Sequence, residues 1–143
     1  MATVISGVPR SATIESVHNP VYQAYQALHI GFVVAPIAAG VDKFLHYLTN
    51  WEMYLAPQVA AIVPAATFMK IVGVVEIVAG IIVLAKPKIG GAIVCAWLLG
   101  IIVNLLMAHG FYDVALRDLG LAIGAFALSR LGAHFEARRA SAA

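Results

Sequence analysis

The sequence predicts an all-α integral membrane protein, an up-down bundle of four helices with kinks in the first and second spans. Of its 143 residues, 62% are hydrophobic and 11% are charged, and the mean hydropathy is +0.92. A soluble domain carries about a quarter charged residues. A spanning helix takes about 20 mostly apolar residues, so four spans with short loops leave no room for a soluble catalytic domain.

The first span is predicted from near Tyr22 to about Tyr47, behind a polar arm. The arm lacks a continuous apolar run behind a basic start, so we do not expect a cleavable signal peptide. Pro36 lies inside the span and should kink it, because proline removes a backbone donor; neighbouring helices can satisfy the freed carbonyl.

The second span is predicted over 57–85, after an interfacial segment at 49–56 that carries Trp51 and Tyr54. These aromatic residues are typical of the headgroup level. Pro64 divides the span into a short amphiphilic piece, 57–63, and a main helix, 65–85. Three placements are open for the short piece: spanning, re-entrant or interfacial.

The third and fourth spans are predicted over 89–108 and about 112–131, with tight turns at 86–88 and 109–110. Such short turns force neighbouring helices to be antiparallel. The predicted organisation is a polar arm over 1–21, a transmembrane domain over 22–131 and a basic tail over 132–143.

Lysine and arginine are distributed unevenly between the two predicted membrane faces, which favours both termini in the cytoplasm. Lys43 and Arg117 lie on the outer side. The cytoplasmic face holds Arg10, Lys86, Lys88, Arg130, Arg138 and Arg139.

Small residues recur along each span, and small residues let spanning helices approach closely. We expect them to mark the faces where helices meet. Asn104 continues the pattern in the third span as a hydrogen-bonding side chain. The predicted packing positions are Gly31, Ala35, Gly73, Gly80, Gly100, Asn104, Gly120 and Gly124.

Glu76 lies near the middle of the second span, where a charge costs at least about 2.5–3.5 kcal/mol. It should therefore be protonated or paired with a cation. Lys70 is poorly placed, since six residues turn a helix by about 240°, so Arg117 or a histidine of another helix is the expected partner. A neutral Glu76 could donate a hydrogen bond to a quinone carbonyl.

Polar residues also concentrate near the predicted outer face, and two interpretations are open. They form either an ion-pair network that fixes the bundle or a site for a proton, an anion or a quinone. Their spacing is far from a specific metal-ligand pattern, so no metal site is predicted. His29, near the opposite end of the first span, is interpreted as interfacial. The outer group comprises Asp42, Lys43, His46, His109, Asp113, Arg117 and Asp118.

Several site classes are excluded by the residues present. The single cysteine, Cys95, excludes an internal disulfide and a cysteine-based metal centre. There is no phosphate-binding loop, nucleophile elbow, zinc-protease helix or haem-attachment motif. No covalent cofactor is predicted, which leaves a quinone or a lipid as a bound ligand. The short basic tail favours anionic lipid or a protein partner over nucleic acid.

Several short motifs are spread over about residues 25–131. They are Gly31-Phe32, Gly40-Val41-Asp42-Lys43-Phe44, Leu55-Ala56-Pro57, the glutamate-bearing helix from Gly73 to Gly80, Lys86-Pro87-Lys88 and Asp118-Leu119-Gly120-Leu121. In these motifs the chain resembles the DoxX-like (DoxX/DoxD) family of small membrane proteins. An arginine usual early in that family's first helix is missing here, where Leu28-His29 stands.

The resemblance implies a four-helix bundle in a bacterial or archaeal inner membrane, in a family with subunits of membrane oxidoreductases such as thiosulfate:quinone oxidoreductase. The first hypothesis is a structural or quinone-adjacent subunit of such a complex, alongside other membrane-protein subunits. The second is a self-sufficient quinone-reactive enzyme in which Glu76 and the outer group handle protons. The third is a small transporter.

Overall fold

The computed structural model describes residues 17–143, so most of the predicted polar arm lies outside the described residues. This part of the chain is all-helical, as predicted, and has no strand. The elements are α1 (Pro20–Leu45), a 3-10 helix (Trp51–Tyr54), α2 (Pro57–Ala60), α3 (Ala65–Ala85), α4 (Pro87–Ala108) and α5 (Tyr112–Ala142).

Proline and capping residues set the helix boundaries. The side chain of Asn19 accepts a hydrogen bond from the Val21 amide, and Pro20 occupies the first turn of α1. Helix α1 continues across Pro36 and ends before His46, whose left-handed backbone (φ 57°) closes the helix. Pro64 immediately precedes α3 and separates it from α2.

The long helices pack as two antiparallel pairs, α1 with α3 and α4 with α5, joined through α3–α4 and α1–α5 contacts. In the first pair, a Cβ placed on Gly73 would lie 2.7 Å from the carbonyl oxygen of Gly40. In the second, a Cβ on Gly91 would lie 2.8 Å from the carbonyl oxygen of Ala125. Only glycine permits backbones to approach this closely, so these positions fix the spacing within each pair.

Helices α1, α3 and α4 are each long and apolar enough to cross a bilayer. Large apolar side chains such as Val74, Val78 and Ile81 of α3 are exposed on their surfaces. Four charged side chains, by contrast, are buried: Asp42, Lys43, Glu76 and Asp118. This arrangement suits a hydrocarbon surrounding, and the protein is accordingly a multi-pass membrane protein.

Helix α5 is longer than the predicted fourth span and includes the residues of the predicted basic tail. Its last turns pack against the start of α1, where the ring of Phe135 lies 5.6 Å from Tyr22 and 4.8 Å from Tyr25. The first part of α5 carries Asp113 and Arg117. Helix α5 is not among the helices apolar enough to span by composition.

Candidate functional site

Helices α1 and α3 hold a buried ion pair between Lys43 and Glu76. The Lys43 Nζ lies 2.6 Å from the Glu76 Oε2, and the two side chains are 3% and 10% exposed. The prediction that Glu76 pairs with Arg117 or a histidine was wrong. Lys43 lies near the C-terminal end of α1, but its ammonium reaches back along the helix to 3.5 Å from the Ala39 carbonyl oxygen and so meets Glu76.

Trp51 covers this ion pair from the connection between α1 and α3. The Lys43 Nζ lies 3.8 Å from the centre of the Trp51 ring. An ammonium over an indole face is attracted by the ring quadrupole, most strongly where water is excluded. The indole N–H donates to the Asp42 carboxylate at 2.7 Å, which fixes the ring over Lys43.

Asp42 organises the chain where α1 ends. Its buried carboxylate accepts hydrogen bonds from the Tyr47 amide at 2.8 Å and the Leu48 amide at 3.1 Å, in addition to that from Trp51. These donors fold the chain back over the end of α1. Asp42 therefore positions Trp51, while Lys43 beside it faces Glu76.

On the α4 side, Trp97 lies beside the ion pair. Its indole N–H lies near the Glu76 carboxylate. The same N–H falls outside hydrogen-bonding geometry and is the only buried side-chain nitrogen or oxygen in residues 17–143 without a partner. A buried donor left unpaired costs about 1–3 kcal/mol, so an acceptor entering here would gain a hydrogen bond.

Helix α5 contributes Asp118, a second buried carboxylate in the neighbourhood of Glu76. Its oxygen Oδ1 accepts from Arg117 at 3.2 Å (Nε) and 3.1 Å (Nη2). The Arg117 side chain is 65% exposed. Arg117 thus partly neutralises the charge of Asp118 without reaching the Lys43–Glu76 pair.

The remaining members of the predicted outer group lie apart from the ion pair. His46 and Asp113 are exposed, and the exposed His109 has its Nδ1 3.4 Å from the Tyr112 hydroxyl. The structure thus divides the predicted group into a Lys43-centred site, an Arg117–Asp118 pair and exposed residues. Within residues 17–143, no three His, Cys, Asp or Glu side chains are arranged to hold a metal ion.

Comparison with known proteins adds no further constraint. No family model, curated protein or solved structure matches the chain. The similarity to the DoxX-like family therefore rests on the sequence motifs alone and stays a prediction.

Asn104 connects α4 to the segment between the 3-10 helix and α2. Its Oδ1 accepts from the Ala56 amide at 2.9 Å, and its Nδ2 donates to the Tyr54 carbonyl at 2.8 Å. Ala56 is completely buried. Asn104 thus has the predicted hydrogen-bonding role, but its side-chain amide joins α4 to the segment before α2 rather than to another long helix.

The other predicted packing positions fall into two sets. Gly73, Gly80 and Gly124 lie against side chains or backbone of other helices. A Cβ at Gly31, Gly100 or Gly120 would meet nothing within 4 Å, and Ala35 is exposed. Gly31, Ala35, Gly100 and Gly120 therefore lie on outward faces and do not pack helices against each other within the described chain. The tight contacts missed at the sequence level are at Gly40, Gly90, Gly91 and Gly132.

His29 has a structural partner that sequence reasoning missed. Its Nε2 lies 2.9 Å from the carbonyl oxygen of Val83. Helix α3 ends at Ala85 and the Lys86 backbone (φ −141°, ψ 81°) turns out of the helix before Pro87, so the Val83 carbonyl in the last turn has no donor within α3. The Nε2–H of His29 takes the place of the missing donor. The signal was available in the sequence, in the proline that follows α3.

Proposed function

We propose that this protein is a small integral membrane subunit of a larger oxidoreductase or respiratory-type complex and carries no redox centre of its own. The observation that supports it is the closed Lys43–Glu76 pair, 2.6 Å long and covered by Trp51. Charges at membrane depth are retained where they have a partner and a purpose. Here both charges are engaged within the protein, which favours a positioning role over turnover.

In this proposal α5 crosses the membrane as the fourth span, and the four long helices form an up-down bundle. The antiparallel helix pairs support it. The Arg117–Asp118 pair supports it too, since pairing lowers the cost of charge at the membrane boundary. Kinks at Pro36 and Pro64, and both termini in the cytoplasm, belong to the same proposal.

The outward-facing small residues offer surfaces for partner subunits. Gly31 and Ala35 lie one turn apart on the exposed face of α1, and Gly100 and Gly120 are exposed on α4 and α5. A partner helix can approach such positions more closely than it can approach Ile or Leu. In a complex these positions would contact neighbouring subunits, and the surrounding apolar residues would contact lipid.

Affinity purification from native membranes in mild detergent tests the subunit role. Redox subunits should co-purify with the wild-type chain, and Gly31→Leu should reduce their yield by filling the close-approach position. Val34→Leu is the matched control, because Val34 is an exposed, already bulky residue on the same helix. Recovery of the monomer alone, across several mild detergents, would contradict the proposal.

A second candidate, a self-sufficient quinone-reactive enzyme, is favoured by Trp97. Its unpaired N–H beside Glu76 would suit the carbonyl of a quinone headgroup. In that case Glu76→Gln should lower quinone-linked turnover of the purified protein by more than about a hundredfold. Unchanged turnover in this variant would contradict an acid–base role for Glu76.

A further inference from the structure

An open groove of about 400 Å³ lies between α4 and α5, at the end where α4 begins. Ile89 and Ile93, both substantially exposed, contribute to its apolar lining. Neither residue takes part in the Lys43–Glu76 site. The groove is lined by Lys88, Ile89, Ala92, Ile93, Ala96 and Ser129.

The length of the groove matches one leaflet of a bilayer. From Lys88 to Ala96 the α4 backbone rises about 12 Å, at about 1.5 Å per residue. Half of the hydrocarbon layer is about 15 Å thick. An acyl chain lying along Ile89, Ala92, Ile93 and Ala96 would therefore remain at its ordinary depth while its headgroup lay beside Lys88.

The charge at the mouth of the groove suits an anionic headgroup. Lys88 is half-exposed, and exposed Lys86 precedes it by two residues. The Lys88 Nζ lies 3.8 Å from Glu136, whose side chain is also half-exposed. A pair of this kind holds its ammonium weakly, so a phosphate could displace Glu136 from Lys88.

Ser129 shapes the mouth of the groove from the α5 side. Its hydroxyl donates to the Lys88 carbonyl at 2.7 Å. A Cβ at Gly132, one turn further along α5, would lie 2.8 Å from the Lys88 amide nitrogen. The Lys88 backbone is thus held against α5, which keeps the base of its side chain at the groove.

We propose that this groove binds one anionic phospholipid, with an acyl chain along Ile89–Ala96 and its phosphate on Lys88. Basic pockets between spanning helices are known binding sites for acidic lipid headgroups. The proposal goes beyond the subunit role and does not depend on it. It requires only that the protein resides in a bilayer.

The test uses the full chain in a neutral detergent, mixed with equal amounts of phosphatidylglycerol and phosphatidylcholine that carry identical acyl chains. Native mass spectrometry counts the lipids retained. One phosphatidylglycerol should be retained in preference to phosphatidylcholine. Lys88→Gln should lower that retention about fivefold, the effect of one basic residue near a lipid headgroup.

Three further variants separate charge from groove occupancy. Lys70→Gln removes an exposed lysine of α3 and should leave retention unchanged. Glu136→Gln should increase phosphatidylglycerol retention, because it frees Lys88. Ala92→Phe fills the groove at an exposed position and should abolish retention of either lipid.

The proposal is overturned by any of three outcomes. These are equal retention of the two lipids by the wild type, equal losses in Lys88→Gln and Lys70→Gln, or wild-type retention by Ala92→Phe.

Discussion

The ammonium of Lys43 in α1 lies 2.6 Å from the carboxylate of Glu76 in α3, although the two residues are 33 positions apart in the chain. Breaking a buried pair by removing one partner costs about 3–5 kcal/mol, because the other charge is left uncompensated. We expect Lys43→Met to lower the unfolding free energy by that amount. Titration with a denaturing detergent in mixed micelles, followed by circular dichroism, measures it.

Two companion variants make this prediction specific. Lys43→Met combined with Glu76→Leu should recover much of the lost stability, since neither charge then remains buried. Lys70→Met, which removes an exposed lysine of the same helix pair, should change stability little. A loss in the double variant equal to that in Lys43→Met would argue against an uncompensated charge as the cause.

Trp51 should stabilise the ion pair through two separable contacts. Trp51→Phe keeps an aromatic face over Lys43 but removes the N–H that bonds Asp42, at a cost of about 1.5–3 kcal/mol for a bond to a charged group. Trp51→Leu also removes the cation–π contact and should cost a further 0.5–2 kcal/mol, roughly.

Hydrogen exchange at the Tyr47 and Leu48 amides reports the Asp42 contacts directly. Both Trp51 variants should accelerate it. Equal stability of the two variants would show that the ring over Lys43 contributes nothing measurable.

Asn104 should govern the docking of the segment that contains Ala56. Asn104→Leu leaves the Ala56 amide and the Tyr54 carbonyl unpaired, each at about 1–3 kcal/mol. Asn104→Asp keeps the acceptor and loses the donor. Exchange of the Ala56 amide should therefore be fastest in Asn104→Leu and slower in Asn104→Asp. The reverse order would contradict the assigned orientation of the amide.

The role assigned to His29 predicts coupling with Pro87. His29→Phe leaves the Val83 carbonyl without its donor and should destabilise the protein by about 1–3 kcal/mol. Pro87→Ala allows α3 to extend through residue 87, whose N–H would then reach the same carbonyl, so in that background the same substitution should cost less. A double-mutant cycle measures the difference, about 0.5–3 kcal/mol for residues that share a partner. Strictly additive effects of His29→Phe and Pro87→Ala on the unfolding free energy would contradict a shared role of the two donors at the Val83 carbonyl.

Much of the helix layout follows from the sequence because proline and glycine punctuate it. Pro57, Pro64 and Pro87 each stand at or beside a helix start, and the His109-Gly110 turn ends α4. These are local signals that operate within one turn of helix. Pairing between distant helices has no such local signal.

The details of the site could not be predicted, because they depend on distances between side chains of different helices, which the spacing of residues along the sequence does not give. Lys43 was placed near the outer end of α1, yet its flexible side chain reaches a carboxylate deeper in α3. Likewise, Gly31 and Gly40 are both small residues of α1, but only Gly40 lies against α3. Which of several small residues faces inward depends on helix rotation, and rotation is set by all the helix contacts together.

The location of the ion pair has a consequence for biogenesis. Lys43 and Glu76 both belong to the α1–α3 pair, which leaves the ribosome before α4 and α5. The charge of Glu76 can therefore be neutralised within the α1–α3 hairpin, before α4 and α5 are inserted. Delivery of Glu76 into the membrane then needs no help from the second half of the protein, and the α1–α3 hairpin can wait there for α4 and α5.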